Sequence, residues 1–190
     1  MTMEPEITLR HATADDAPAI TRAIIMAFGE DMTRRLCGDR GHEIIERLVR
    51  MDNTQYSYRN TIVCLADGAV AGAICGYDGA KLHELRQPVL DMLREECGTQ
   101  ISVTDETSAG EFYLDSVGVM PEMRGRGIGA RLLEWMRDEA FAAGHGRVGL
   151  LVDDINPKAE KLYHRLGFRR VGEVSFIGHT MHRMQCEKPQ

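Results

Sequence analysis

Between residues 111 and 143 the chain passes from a β-rich run, through three closely spaced glycines, into a long helical stretch. No other feature constrains the fold as tightly. Glu111 to Val119 has strand composition, Met120-Pro121-Glu122-Met123 breaks it, and Arg124-Gly125-Arg126-Gly127-Ile128-Gly129 leads into a helix predicted over Gly127 to Ala143 and closed by Gly144. The first amides of a helix lack partners inside it. Glycines let an anion approach that bare backbone, and the helix dipole favours negative charge there. Arg124 and Arg126 add charge-assisted donors. The junction therefore predicts a phosphate site built on Gly125, Gly127, Ile128, Gly129 and Ala130, against the simpler reading of a glycine-rich turn with solvated arginines.

Several ligands carry phosphates. Gly125, Gly127 and Ala130 satisfy the spacing of a dinucleotide fingerprint, with Asp153 and Asp154 downstream. Two features oppose that reading. Met120 to Arg124 separates the strand from the first glycine, and only one strand–helix–strand unit is present where a dinucleotide fold needs two halves. A nicotinamide-dependent oxidoreductase thus stands as the weaker enzyme alternative. No Lys-Ser or Lys-Thr follows the glycines, which excludes a P-loop.

The rest of the chain supplies a mixed layout. Ile7 to Arg10 alternates as a short strand, and Thr13 to Pro18 provides a cap and first-turn proline for a helix through Phe28. Helices are predicted over His42–Met51, Lys81–Glu96 and Pro157–Leu166. Strands are predicted over Thr61–Ala66 and Val70–Gly76, joined by a hairpin at Asp67-Gly68-Ala69, and over Val148–Val152, Phe168–Val174 and Phe176–Met184. Phe28 to Arg40 reads as a loop, and so does Thr99 to Gly110. The expectation is one α/β (α+β) domain over residues 1–190, a largely antiparallel sheet with helices on its faces.

Composition narrows the class further. A net charge of −6 with no dense Lys/Arg block argues against nucleic-acid binding. MTMEPEITLR has no apolar core of a secretory signal, and the apolar run at Ile24 to Phe28 is too short to span a bilayer. Five cysteines without C-x-x-C spacing suit buried thiols in a cytoplasmic protein better than a disulfide framework. His179 and His182 form H-x-x-H, but in a strand that spacing sends them to opposite faces, so no metal is expected.

The combination of motifs now becomes specific. The strand end V-x-V-x-P-E (Val117 to Glu122), the R-x-x-G-x-G loop (Arg124 to Gly129), an Asn opening the next helix (Asn156) and A-x-x-L-Y-x-x-x-G-F (Ala159 to Phe168) together resemble the GNAT superfamily of acyl-CoA-dependent N-acyltransferases. The resemblance is firm over residues 111–174, and the order of the preceding elements agrees with it. It implies a sheet whose fourth and fifth strands part, with the cofactor's pantetheine arm lying in the gap.

That resemblance assigns roles. Acetyl-CoA is the implied co-substrate, with its pyrophosphate at the glycine loop and its arm on the backbone of Val117, Gly118 and Val119. Asn156 serves as helix N-cap and as a hydrogen-bond partner of the arm. Tyr163 is the implied general acid for the departing thiolate, although Ala159, Leu162, Tyr163 and Leu166 also form a helical stripe in which it could be core packing. The amine must also lose a proton: alternation puts Glu111, Tyr113 and Asp115 on one strand face, which offers Glu111 or Asp115 as base, directly or through water, against the plainer reading of a solvated strand carboxylate. Phe28, Glu30 and Asp31 are the implied acceptor contacts. The expected reaction is acetyl transfer by direct attack of a primary amine, carried by a small molecule, a peptide or a protein. The expected protein is a monomer or homodimer without nucleic-acid or membrane partners. A non-catalytic acyl-CoA-binding module of the same fold is the other alternative.

Overall fold

The computed structural model describes residues 5–189; Met1 to Glu4 of the amino-terminal stretch and Gln190 lie outside the described residues. In chain order the elements are β1 (Ile7–His11), α1 (Ala17–Phe28), α2 (Glu30–Cys37), α3 (Gly41–Arg50), β2 (Thr61–Ala66), β3 (Ala69–Asp78), α4 (Leu82–Cys97) and β4 (Phe112–Val119). They continue with α5 (Ile128–Ala142), β5 (Arg147–Asp153), α6 (Pro157–Arg165), β6 (Arg169–Phe176) and β7 (His179–Glu187). The strands form a seven-stranded sheet in the order β1-β2-β3-β4-β5-β7-β6. Every pairing is antiparallel except β4 with β5.

Alternation decides which helices cover which face. Ile62, Cys64 and Ile74 face α5 and α6, packing with Leu132, Leu133, Met136 and Phe168. Val63 and Ala73 face the other way, onto Ile20 and Ile24 of α1, Leu48 of α3 and Val89 of α4. With both faces covered, β2 is buried along nearly its whole length, as a strand in the middle of a three-layer sandwich must be. The antiparallel sheet with helices on both faces is thus the architecture expected. Gly118 lets α1 lie directly on β4, because a Cβ there would overlap the backbone of Ala23. Among the described residues no helix is long and apolar enough to cross a membrane.

Two expectations are corrected. Residues 30–37 are helical, bounded by Gly29 (φ 88°) and Gly38 (φ 62°). Eight residues rich in charge give a weak apolar signal, since only Met32, Thr33, Leu36 and Cys37 turn inward. The final hairpin turns at Ile177-Gly178, not at Ser175. Ile177 takes φ 48°, a conformation unfavourable for a β-branched residue, so its propensity pointed away from the turn that Gly178 permits.

Candidate active site

The parallel pairing of β4 with β5 runs only from Phe112 to Leu114, opposite Val148 to Leu150. Beyond it, the edge of Asp115 to Val119 that faces β5 has no strand partner among the described residues. A cavity of about 480 Å³ opens in this parting, lined by Val117 and Val119 on one wall and by Val152, Asn156 and Tyr163 on the other. It continues beneath α1, α2 and α4, where Phe28, Met32, Leu36 and Val89 line it.

At the mouth stands the glycine loop. After a single 3-10 turn at Pro121–Met123, Gly125 and Gly127 adopt φ 77° and 75°, with open space where their Cβ atoms would be. The first bond of α5 is donated by Arg131 N–H to Gly127 O, 3.1 Å. The amides of Ile128, Gly129 and Ala130 precede it and leave the helix end exposed as donors. Ile128 buries its side chain in the core and so fixes the loop, contributing only backbone outward. Arg124 lies back across the end of β4, its Nε donating to Val119 O at 3.2 Å. Arg126 is exposed and makes no ion pair among the described residues.

Asp115 is placed by an irregularity. Cys75 pairs with Ser116 and Gly76 with Leu114, so Asp115 is the extra residue of a β-bulge and is aimed into the cavity. Its Oδ2 and the Ser116 hydroxyl are buried without a hydrogen-bond partner among the described residues. Burial, and then the nearby Glu106 carboxylate, hold the Asp115 carboxyl well above the usual carboxylate range, with Gln55 and Arg86 partly opposing them. Behind it, Glu106 accepts from Tyr77 Oη at 3.0 Å and pairs with Arg86, which also reaches Asp105 at 3.0 Å.

Tyr163 faces the same cavity from α6, its ring packed edge-on against Phe168 with centroids 6.2 Å apart. Burial pushes its phenol up to about 12, so it keeps its proton across the neutral range. Asn156 caps α6, its Oδ1 accepting from Ala159 N–H at 3.2 Å, and it also borders the cavity. The cap and the cavity border thus share one residue.

Three sequence candidates fall elsewhere. Glu111 is buried over Gly149, outside the cavity lining, and accepts from Thr107 Oγ1 at 2.7 Å and Gln185 Nε2 at 2.5 Å. It precedes the strand and turns away toward β5 and β7. Glu30 and Asp31 are exposed on the first turn of α2, where Glu30 lies 3.4 Å from His42. The helix turns Met32 and Leu36 inward in their place. His179 and His182 have separate partners, Asp153 at 3.0 Å and Glu160 at 3.3 Å. Sequence reasoning missed Gln55, Arg86, Glu106 and Ser116. Arg86 alone left a signal: it shares a stripe with the apolar Leu82, Val89 and Leu93, and a charge there demands a buried partner.

The Acetyltransferase (GNAT) family model matches residues 30–168. The chain is 27% identical over 111 residues to acetyltransferase Atu2258 of Agrobacterium fabrum, covering 57% of this chain and 80% of that protein. It is 44% identical over 72 residues to N-alpha-acetyltransferase RimI of Mycobacterium tuberculosis, covering 38% of this chain and 44% of that protein. A crystal structure of an acetyltransferase superimposes with a TM-score of 0.79 at 29% identity, covering 95% of this chain and 98% of that one. The parted strands, the glycine loop at their mouth and the family match over most of the chain agree: this protein belongs to the GNAT acetyltransferase family.

Proposed function

We propose that the protein transfers an acetyl group from acetyl-CoA to a primary amine by direct attack. The observation that carries this reading is the parting of β4 and β5, with free helix amides at one end and Asp115 and Tyr163 within. The site fits the donor on its own terms. An unpaired strand edge suits an amide-bearing arm, and the open Cβ positions of Gly125 and Gly127 leave room for phosphates. Acetyl-CoA supplies an acetyl carbon activated as a thioester.

The residues divide the proton traffic. The arriving ammonium draws the proton of the buried Asp115 carboxyl off to solvent, and the carboxylate so formed takes a proton from the ammonium. The freed nitrogen lone pair forms the bond to the acetyl carbon, the C–S bond breaks, and the sulfur keeps its electron pair. Tyr163 gives its proton to that sulfur and recovers one from the nitrogen through water. One amide, one thiol and one released proton result. The apolar cavity walls limit competing attack by water.

Free-thiol release that requires both acetyl-CoA and an amine tests the reading directly; its absence with a broad amine panel leaves a binding module instead. Ligand choice is tested by melting. At about 100 times its Kd, coenzyme A stabilises by about 2.7 kcal/mol, which raises Tm by about 5–10 °C in a chain this long. NAD at the same concentration is expected to leave Tm unchanged. A shift with NAD and none with coenzyme A would falsify the assignment.

Gly129 separates loop function from loop folding. Its φ is not positive, and an added Cβ meets only Val119 Cγ2 at an ordinary 3.7 Å. Gly129→Val is therefore expected to fold normally while weakening coenzyme A by at least about tenfold, because the new side chain borders the exposed amides. Calorimetry showing wild-type affinity would remove the loop from the donor site.

A further inference from the structure

The acceptor side of the cavity makes two demands on its guest. Its walls are carbon, from Phe28, Met32, Leu36, Val89, Ile101 and Val103. At its inner end two polar atoms lie buried without partners among the described residues, Asp115 Oδ2 and Ser116 Oγ, and Ser116 is only 7% exposed. Folding leaves such atoms unsatisfied at a cost, so the pair marks a place for a ligand's polar group.

Charge gives that group its sign. Arg86 faces Glu106, Asp115 and the half-exposed Asp105, so the buried set holds more carboxyl groups than cations. Arg86 and Glu106 neutralise each other, so the buried Asp115 carboxyl is left to ionise opposite a positive guest and balance it. Among the described residues that line the cavity a negative guest finds no free cation: Arg86 is bound to Asp105 and Glu106, and His179 at the rim lies 3.0 Å from Asp153. A second positive charge on the guest's far end would be desolvated against the apolar walls.

Resting on the acetyl-transfer reading above, the geometry points to a defined acceptor class: a monoamine with an aliphatic or aromatic body and no carboxylate, its ammonium received by Asp115 and Ser116. Carbon burial then drives affinity, while the bulge aims the nitrogen.

Matched acceptors test this in the full chain with acetyl-CoA. Heptylamine and 1,6-diaminohexane have the same number of heavy atoms and differ in one terminal charge. Heptylamine is expected to exceed the diamine by at least about 100-fold in kcat/KM, and phenethylamine to exceed phenylalanine by a similar factor. Along the alkylamines from propylamine, kcat/KM should rise about fourfold per methylene until the cavity is filled. Leu36→Glu places a carboxylate on the carbon wall and should shift preference toward the diamine. Equal or better turnover of the diamine or the amino acid overturns the acceptor class while leaving acetyl transfer intact. Acetyl-CoA bound, by calorimetry, with no amine acetylated also overturns it. Failure to bind acetyl-CoA, or to release thiol with any amine of a broad panel, brings down the underlying reading as well.

Discussion

Tyr163→Phe is expected to lower turnover of a good amine by about 10²- to 10⁴-fold, the usual cost of losing a positioned acid. The ring, which packs against Phe168, stays in place, so Tm and acetyl-CoA affinity should be nearly unchanged. The loss should be greatest at high pH, where solvent is a poorer proton source for the leaving sulfur. Because burial pushes the phenol up to about 12, the wild-type group remains an acid throughout that range. Tyr163→Ala cannot decide the matter, since it opens a cavity costing on the order of 3–5 kcal/mol whatever the hydroxyl does. A Phe variant with wild-type turnover at every pH would reduce Tyr163 to packing.

Asp115→Asn should produce opposite changes in activity and stability. The carboxyl is held above the ordinary range in the folded chain, chiefly by burial and then by Glu106, so the folded state binds its proton more tightly than the unfolded state does. That contribution to stability is full below the unfolded value near 3.9. It is lost as pH rises through the folded value. The amide cannot ionise, so the variant should gain several degrees in Tm at pH 8 relative to wild type and little or nothing at pH 4. Acetylation at neutral pH should fall by about 10²-fold or more, and the gap should narrow as pH approaches the acceptor's own pKa, where the amine arrives already deprotonated. An unchanged rate would disqualify Asp115 as base. A Tm difference independent of pH would show that its charge is not confined as described.

Local patterns made most of the architecture legible. Glycine and proline marked the hairpin at Asp67-Gly68 and the start of α6, and apolar spacing located α3, α4 and α5 to within a residue or two. The turn into α5 was legible because glycines able to take positive φ stand directly before a helical stretch. What escaped was set by tertiary context. Helix α2 owes its existence to what Met32 and Leu36 meet, which eight charged-rich residues do not announce. The cluster of Gln55, Arg86, Glu106 and Asp115 joins four distant segments through one bulge, and alternation alone could not choose between Glu111 and Asp115. Only pairing shows that Asp115 is the extra residue of β4 while Glu111 lies outside the strand, turned toward Gly149 and Gln185.

Because β4 and β5 pair over three residues, the sheet is two panels, four strands and three, joined by a narrow seam. Helix α5 packs on β2, β3, β4 and β5, and so acts as a strut across both panels. The same helix carries the glycine loop at its first turn. A guest held as proposed, gripping the loop and filling the seam, would tie the panels together twice, once through the strut and once along the strand edge. On the proposed reading, substrate binding and the cohesion of the sheet would be a single mechanical event.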